Sequence, residues 1–231
     1  MILEKVKAAA FKVKGGESLF ERDSVALEKP TYPYQVLAWL LRAAIGNGCR
    51  LNVLDFGGAL GSSYFQCRAF LGGLEEVRWS VVEQKNVVSC GKEHFEDDHL
   101  RFYYSIDECL ERERVQVILL SAVVQYLEDP HAFLEDLAGR KIKYMLFDRT
   151  PVVPDISRDV LKIQRVPKDI YEASYPVWFL ERKHFLTHFS ENYKMLAEFE
   201  SFESWELGSM TLQHVGFVFQ TLEETGWASN R

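Results

Sequence analysis

The segment from Leu51 to Ser63, Leu-Asn-Val-Leu-Asp-Phe-Gly-Gly-Ala-Leu-Gly-Ser-Ser, limits the folds open to this chain more than any other. Leu51 to Phe56 is an apolar run of strand length, broken by glycines at 57, 58 and 61, and the chain can re-enter a helix near Ser62. Backbone approaches a ligand closely only where side chains are absent. A strand, a glycine turn and a helix N-terminus therefore make a nucleotide-type pocket. An acidic residue, Asp55, stands two places before the first glycine.

Hydrophobic spacing organises the chain around this segment. Val36, Leu37, Leu40, Leu41, Ala44 and Ile45 recur at three- and four-residue intervals and predict an amphipathic helix over Tyr34 to Ile45. Further strands are expected at Val77 to Val82, Leu100 to Ser105, Val115 to Leu120, Lys143 to Phe147, Lys194 to Phe202 and His214 to Thr221. Helices are expected at Tyr64 to Leu71 with Ser62 or Ser63 as cap, at Lys85 to His94, at Asp107 to Arg112 and at roughly Arg182 to Glu191. One more should begin after Asp129, with Pro130 at its first position and Gly139 just past its end. After Pro154 the pattern is irregular, with a strand-like Val160 to Val166 and an aromatic tract from Tyr171 to Phe179.

Strands alternating with helices predict an α/β fold with a mostly parallel, seven-stranded sheet and helices on both faces. Residues 1–33 read as a loosely built N-terminal arm with a short helical piece. Residues 34–231 read as a single domain, with insertions at about 151–182 and 203–213. The net charge of −7 argues against nucleic acid as the main partner. Cys49, Cys67, Cys90 and Cys109 share no metal-ligand spacing and suit free thiols in a reducing compartment. With no apolar run of about 18 residues and no signal-peptide order at the N-terminus, a cytoplasmic protein is expected.

Ligands of such sheets bind outside the carboxyl ends of the strands. The residues at those ends are Asp55 to Gly61, Glu83, Ser105, Ser121 and Asp148. Glu83 follows Gly61 by 22 residues, at the end of the second strand, where a carboxylate can accept hydrogen bonds from both hydroxyls of a ribose. Nicotinamide enzymes share that feature. Their fingerprint, however, is glycine-x-glycine-x-x-glycine, and here Ala59 falls where the second glycine belongs. Asp55 is also an unfavourable charge beside a pyrophosphate. S-adenosylmethionine carries an ammonium and a sulfonium and no phosphate, and the chemistry prefers it.

Val53-Leu-Asp-Phe-Gly-Gly-Ala-Leu-Gly61 resembles the first motif of class I S-adenosylmethionine-dependent methyltransferases, and Glu83 matches their ribose-binding acid. Val117 to Pro130, with its Leu127-Glu-Asp-Pro ending, is similar to the fourth-strand segment of that family. The resemblance covers about residues 35–150 and implies a Rossmann-like, doubly wound sheet. Asp55-Phe-Gly-Gly-Ala-Leu-Gly-Ser-Ser-Tyr-Phe65, Gln125-Tyr-Leu-Glu-Asp-Pro130, Asp148-Arg-Thr-Pro151 and Ala173-Ser-Tyr-Pro-Val-Trp-Phe179 look closer still to one bacterial subgroup assigned as methyltransferases and often encoded near surface-polysaccharide genes. That resemblance implies a sugar or glycan-precursor acceptor, for example a nucleotide-sugar.

The family resemblance distributes the cofactor positions. Asp55 lies near the amino-acid end, Gly57, Gly58 and Gly61 let backbone pass, and Glu83 holds the ribose. Gln84, Ser105 and Ile106 flank the adenine, and Ser121 and Ala122 line the methionine moiety; Asp107 could stand in for an acid common near Ser105. For Ser105 a plain strand-end cap is nearly as good a reading. Gln125, Tyr126, Asp148 and Arg149 can reach the fourth- and fifth-strand ends, with Asp148 either a base or the partner of Arg149 in an ion pair. Tyr171, Tyr175, Trp178 and Phe179 either form an acceptor wall or belong to the core. His184 and His188 stand four apart on one helical face, but the sequence offers no third ligand; a satisfied pair is the expectation, His131 reads as structural, and no metal is expected. An oxidoreductase using nicotinamide and a non-catalytic module on the same scaffold stay open.

Overall fold

A computed structural model describes residues 2–15, 20–22, 25–27, 32–154, 156–165, 173–207 and 210–222. Tyr171 and part of the expected 203–213 insertion lie outside the described residues. In chain order the first elements are α1 (Ile2–Lys14), β1 (Phe20–Arg22), β2 (Val25–Leu27), α2 (Tyr34–Ile45), β3 (Arg50–Phe56), α3 (Ser62–Leu71), β4 (Glu76–Val82), α4 (Lys85–His94), β5 (Leu100–Tyr103), α5 (Ile106–Arg112) and β6 (Val117–Ser121). They are followed by a 3-10 turn at Val124–Tyr126, α6 (Pro130–Gly139), β7 (Tyr144–Thr150), β8 (Val152–Val153), β9 (Val160–Arg165), β10 (Ser174–Glu181), α7 (Arg182–Thr187), β11 (Tyr193–Leu207) and β12 (Met210–Thr221).

The large sheet has seven strands in the hydrogen-bonded order β11-β12-β7-β6-β3-β4-β5. β3 pairs in parallel with β4 and with β6, and β4 pairs in parallel with β5. β12 pairs antiparallel with β7 and with β11. The chain steps outward from β3 to β4 and β5, then returns to β6 on the other side of β3. Strand order thus reverses at β3, and the glycine turn lies at its carboxyl end, where open α/β sheets hold ligands. β6 is buried from Val117 to Leu120, as its unbroken apolar sequence requires when both faces are covered.

Internal contacts divide the chain into two compact units, Met1–Leu119 with Arg165–Ser174, and Leu120–Gln164 with Tyr175–Arg231. The first is centred on Trp79, Leu51, Leu54, Phe95 and Phe102, all essentially without solvent exposure. Its helix α1 is longer than the short piece the sequence suggests. Ala9, Ala10 and Val13 are buried, Phe11 meets Phe95 at 4.9 Å between ring centres, and Arg68 donates to the Val13 carbonyl at 3.3 Å. That apolar face could only be recognised once its partners were in place.

The second unit packs its core from aromatic rings. Phe147, Phe185, Phe189, Phe217 and Phe219 interlock, with Phe189 and Phe219 stacked at 4.5 Å and Phe147 meeting Phe185 edge-on at 5.1 Å. A side chain at Gly216 would lie 2.2 Å from the Phe199 ring, so this glycine is what lets β11 and β12 keep their register there. α6 begins as its sequence predicts: Asp129 accepts from the Ala132 amide at 3.0 Å and Pro130 occupies the first turn. Gly139 is the last helical residue rather than the one beyond it.

Several boundaries differ from the sequence reading. β5 stops at Tyr103 because Ser105 caps α5. The cap position of α3 is Gly61, with Ser62 already helical. β7 continues to Thr150 because β12 supplies a partner that far, Val215 opposite Thr150. The aromatic tract after residue 173 forms β10, the middle strand of a three-stranded sheet ordered β8-β10-β9.

Candidate functional site

The turn after β3 is held from both sides. The Gly57 amide donates to the Val82 carbonyl at 2.9 Å, and the Gly58 carbonyl accepts from the amides of Gly61 and Ser62 at 3.0 and 3.2 Å. Gly57, Ala59 and Gly61 all have positive φ, at 73°, 50° and 94°. The strand reverses into α3 through three left-handed residues, which explains the glycine spacing. Ala59 adopts the conformation that favours glycine and bears the associated cost.

Asp55 is buried directly beneath this turn. Its Oδ2 accepts from the Trp79 indole N–H at 2.9 Å. A Cβ built on Gly58 would lie 2.5 Å from the Asp55 carboxylate, so the absence of a side chain at 58 is what admits the acid under the backbone. Glu83 closes the turn from β4. Its Oε1 accepts from the Ala59 amide at 3.2 Å and its Oε2 from the Gln84 amide at 2.7 Å. Asp55, Gly57, Gly58, Ala59, Gly61, Glu83 and the Gln84 backbone thus form one assembly in the first unit. A carboxylate has about four acceptor positions, so Glu83 keeps capacity for two ligand hydroxyls.

Ser105 caps a helix. Its hydroxyl accepts from the Glu108 amide at 3.1 Å, while the Glu108 carboxylate accepts from the Tyr104 amide at 2.8 Å. This reciprocal cap fixes the start of α5 and buries Ile106.

A second assembly belongs to the other unit. Asp148 is buried, its Oδ2 accepting from the Ser121 hydroxyl at 3.0 Å and its Oδ1 from the Ser201 hydroxyl at 2.8 Å. Arg149 lies with its Nε 3.6 Å from the same carboxylate and 3.1 Å from the Ser121 hydroxyl. The Ala122 amide donates to the Asp148 carbonyl at 3.0 Å, with Ala122 and Arg149 both left-handed. Gln125 is buried; its Nε2 donates to the Arg149 carbonyl at 3.3 Å, and its Oε1 has no hydrogen-bond partner among the described residues. Beside these, the Tyr126 hydroxyl donates to Gln164 at 3.2 Å and its ring meets Tyr175 edge-on at 5.3 Å. Trp178 is half-buried on β10, and Phe179 is a core residue.

Trp79 and Ser201 are the partners that sequence reasoning missed. Trp79 sits in a strand where an aromatic residue reads as core, and Ser201 is 53 residues from Asp148.

No protein-family model matches the chain, and no curated protein matches it by sequence. Solved structures do. A Listeria monocytogenes protein assigned as an S-adenosylmethionine-dependent methyltransferase is similar over 83% of this chain and 98% of its own, with a TM-score of 0.54 and 10% identity. The chain has the class I methyltransferase fold. The N-terminal domain of EvdMO1, solved in the presence of S-adenosylhomocysteine and D-fucose, is similar over 96% of this chain and 97% of its own, with a TM-score of 0.51 and 13% identity. The glycopeptide N-methyltransferase MtfA, complexed with sinefungin, is similar over 87% of this chain and 98% of its own, with a TM-score of 0.51 and 11% identity. At such identities it is the methyltransferase fold that is shared, and the side chains must make their own case.

Ala59 offers a direct check on the turn. A left-handed L-residue costs about 1–2 kcal/mol, and glycine gives back roughly 0.5–1 kcal/mol of that through chain entropy. Ala59→Gly is therefore expected to stabilise the protein by about 0.5–1 kcal/mol in urea unfolding. A loss of stability would mean that the methyl group makes contacts worth more than the backbone strain.

Proposed function

We propose that this protein transfers a methyl group from S-adenosylmethionine to a small acceptor, an oxygen of a saccharide or glycan precursor such as a nucleotide-sugar. The observation that carries this reading is the pairing of two acids with one turn: Asp55 locked beneath Gly58 and Glu83 bonded to the Ala59 amide. Glu83 holds the ribose hydroxyls through its remaining lone pairs, and the Asp55 charge favours the cationic amino-acid end. Gln84, Ser105 and Ile106 serve the adenine, and Ser121 and Ala122 the methionine moiety. Bound there, the cofactor supplies an electrophilic methyl group on a sulfonium.

The chain's own residues then have to orient a hydroxyl and accept its proton, because methyl transfer is an in-line displacement in which positioning supplies most of the rate. Asp148 takes the proton, with Ser121, Ser201 and Arg149 fixing its carboxylate. The Oε1 of Gln125, without a hydrogen-bond partner among the described residues, accepts a hydrogen bond from the acceptor, and Tyr126 contributes its hydroxyl. Arg149, Tyr171, Tyr175 and Trp178 bind the acceptor's polar rim and sugar face. The D-fucose present with EvdMO1 and the glycopeptide named for MtfA support a saccharide-type acceptor; MtfA is an N-methyltransferase, so it does not support the choice of oxygen. Residues 34–231 act as one catalytic domain in this reading, in a cytoplasmic setting that suits four free thiols. No helix among the described residues is long and apolar enough to cross a membrane.

S-adenosylhomocysteine at about 100 times its dissociation constant should stabilise the native state by about 2.7 kcal/mol, a rise of several degrees in melting temperature. Incubation with S-adenosylmethionine and a panel of nucleotide-sugars should then release S-adenosylhomocysteine, followed by mass spectrometry. A melting shift with NAD(H) and none with S-adenosylhomocysteine would overturn the reading. No shift with either would leave a non-catalytic module.

A further inference from the structure

The second unit gathers three histidines, of which sequence spacing connects only His184 and His188. His131 is the second residue of α6, His184 lies on α7, and His188 is the cap residue at the carboxyl end of α7. Each offers a ring nitrogen, and these three atoms lie within 4.8 Å of one another. His131 Nδ1 is 2.8 Å from His188 Nε2. The His131 and His184 rings stack at 3.8 Å between centres.

Asp159 stands behind two of the rings. Its Oδ2 is 2.8 Å from His131 Nε2 and 3.0 Å from His184 Nδ1, and its Oδ1 accepts from the Glu181 amide at 2.6 Å. As the common acceptor, Asp159 takes an N–H from each ring. That assigns the tautomers and leaves lone pairs on His131 Nδ1 and His184 Nε2. Glu181 holds α7 in turn, its carboxylate accepting from the amides of Lys183 and His184 at 2.9 and 2.8 Å. A carboxylate that grips the far nitrogen of an imidazole is the arrangement that orients histidines toward a metal ion.

We propose that His131, His184 and His188 bind a divalent transition-metal ion of the zinc class, with Asp159 positioning two of the three rings.

The chemistry of the donor set selects the metal. Three imidazole nitrogens with an open fourth position suit zinc, nickel or copper and are poor ligands for magnesium or calcium. His184 and His188 have the four-residue helical spacing common in zinc sites, and His131 supplies the third ligand. Two nitrogens on one tetrahedral zinc, each about 2.0–2.1 Å from it, stand roughly 3.3 Å apart. The 2.8 Å contact between His131 and His188 therefore opens by about half an ångström as the ion replaces the proton these rings share. The His184 side chain is 51% exposed, so the ion enters from solvent. Once bound, it ties α6, α7 and the segment before β9 together.

The test uses the full chain without a polyhistidine tag, stripped of metal and dialysed against zinc, with bound metal measured by mass spectrometry. A single zinc per chain is expected, unaffected by excess magnesium, and the cobalt-loaded protein should show the visible absorption of a low-symmetry nitrogen site. His184→Ala and His188→Ala should abolish both signals. Asp159→Asn should weaken zinc binding by about 10–100-fold, the usual cost of losing a carboxylate behind a ligand. His99→Ala is the control and should bind zinc normally, since His99 contacts the Val77 carbonyl in the other unit. Substoichiometric zinc in the unmodified protein, or equal binding by His184→Ala, would overturn the proposal whether or not the variants are stable. Melting shifts with S-adenosylhomocysteine, recorded on metal-free protein, keep this outcome separate from that of the methyltransferase reading.

Discussion

Gly58→Ala is expected to lower the melting temperature by on the order of 10 °C and to abolish stabilisation by S-adenosylhomocysteine. The new methyl group would lie 2.5 Å from the Asp55 carboxylate, well inside van der Waals contact. Asp55 has a short side chain, is buried, and is pinned by the Trp79 indole at 2.9 Å, so it cannot swing aside without breaking that bond. An indole N–H left unpaired in the core costs about 1–3 kcal/mol, and overpacking adds about 1–3 kcal/mol. The alternative is for the Gly58 backbone to lift, which also moves the Ala59 amide away from Glu83. Either route disturbs the proposed cofactor cradle. Gly139→Ala is the matching control, because a side chain there meets nothing within 4 Å. Calorimetry and ligand titration decide the matter: a variant that melts normally and still binds S-adenosylhomocysteine would remove the turn from the proposed site.

Asp148→Asn is expected to lower methyl transfer by about 10²–10⁴-fold while leaving affinity for S-adenosylhomocysteine within a few-fold of the parent protein. The amide keeps the shape of the carboxylate, and the Ser121 and Ser201 hydroxyls can rotate to donate or accept as needed. What it cannot do is take a proton. Arg149 loses its charge partner at 3.6 Å, which adds a stability cost of about 1–3 kcal/mol in this buried setting. The kinetic split identifies the role. A large fall in kcat with an unchanged KM marks proton transfer, whereas a risen KM with near-normal kcat marks Asp148 as a strut for Arg149 and Ser121. Asp148→Ala is the harsher companion, since it removes the acceptor of the Ser121 and Ser201 hydroxyls and the carboxylate beside Arg149.

Local patterns in the sequence were enough for the part of the fold that depends on local order. The apolar run at Leu51 to Phe56, the glycine spacing after it, the continuous Val117 to Leu120 strand and the Asp129-Pro130 helix start all specify structure within a few residues of themselves. Contacts formed only on folding were illegible. Trp79 reads as one more core aromatic until Asp55 is found on its indole nitrogen. Ser201 joins Asp148 across 53 residues, and His131 reaches His188 across 57 and Asp159 across 28. β7 outruns its expected end for the same reason, because β12 arrives late in the chain to extend it. β10 is obscured by Pro176 and by the run Val177 to Leu180, which is apolar without alternation.

The thiols add a practical consequence. Cys67, Cys90 and Cys109 are buried, and burial above all drives the Cys109 pKa up to about 12, whereas Cys49 is exposed immediately before β3. β3 runs seven residues from there toward the glycine turn, about 20 Å at strand rise. A maleimide dye therefore attaches to the native chain at one position, on the far end of the strand that leads to the proposed cofactor cradle. Paired with a fluorescent adenosyl analogue, that single label turns occupancy of the cradle into an energy-transfer signal, without an engineered cysteine.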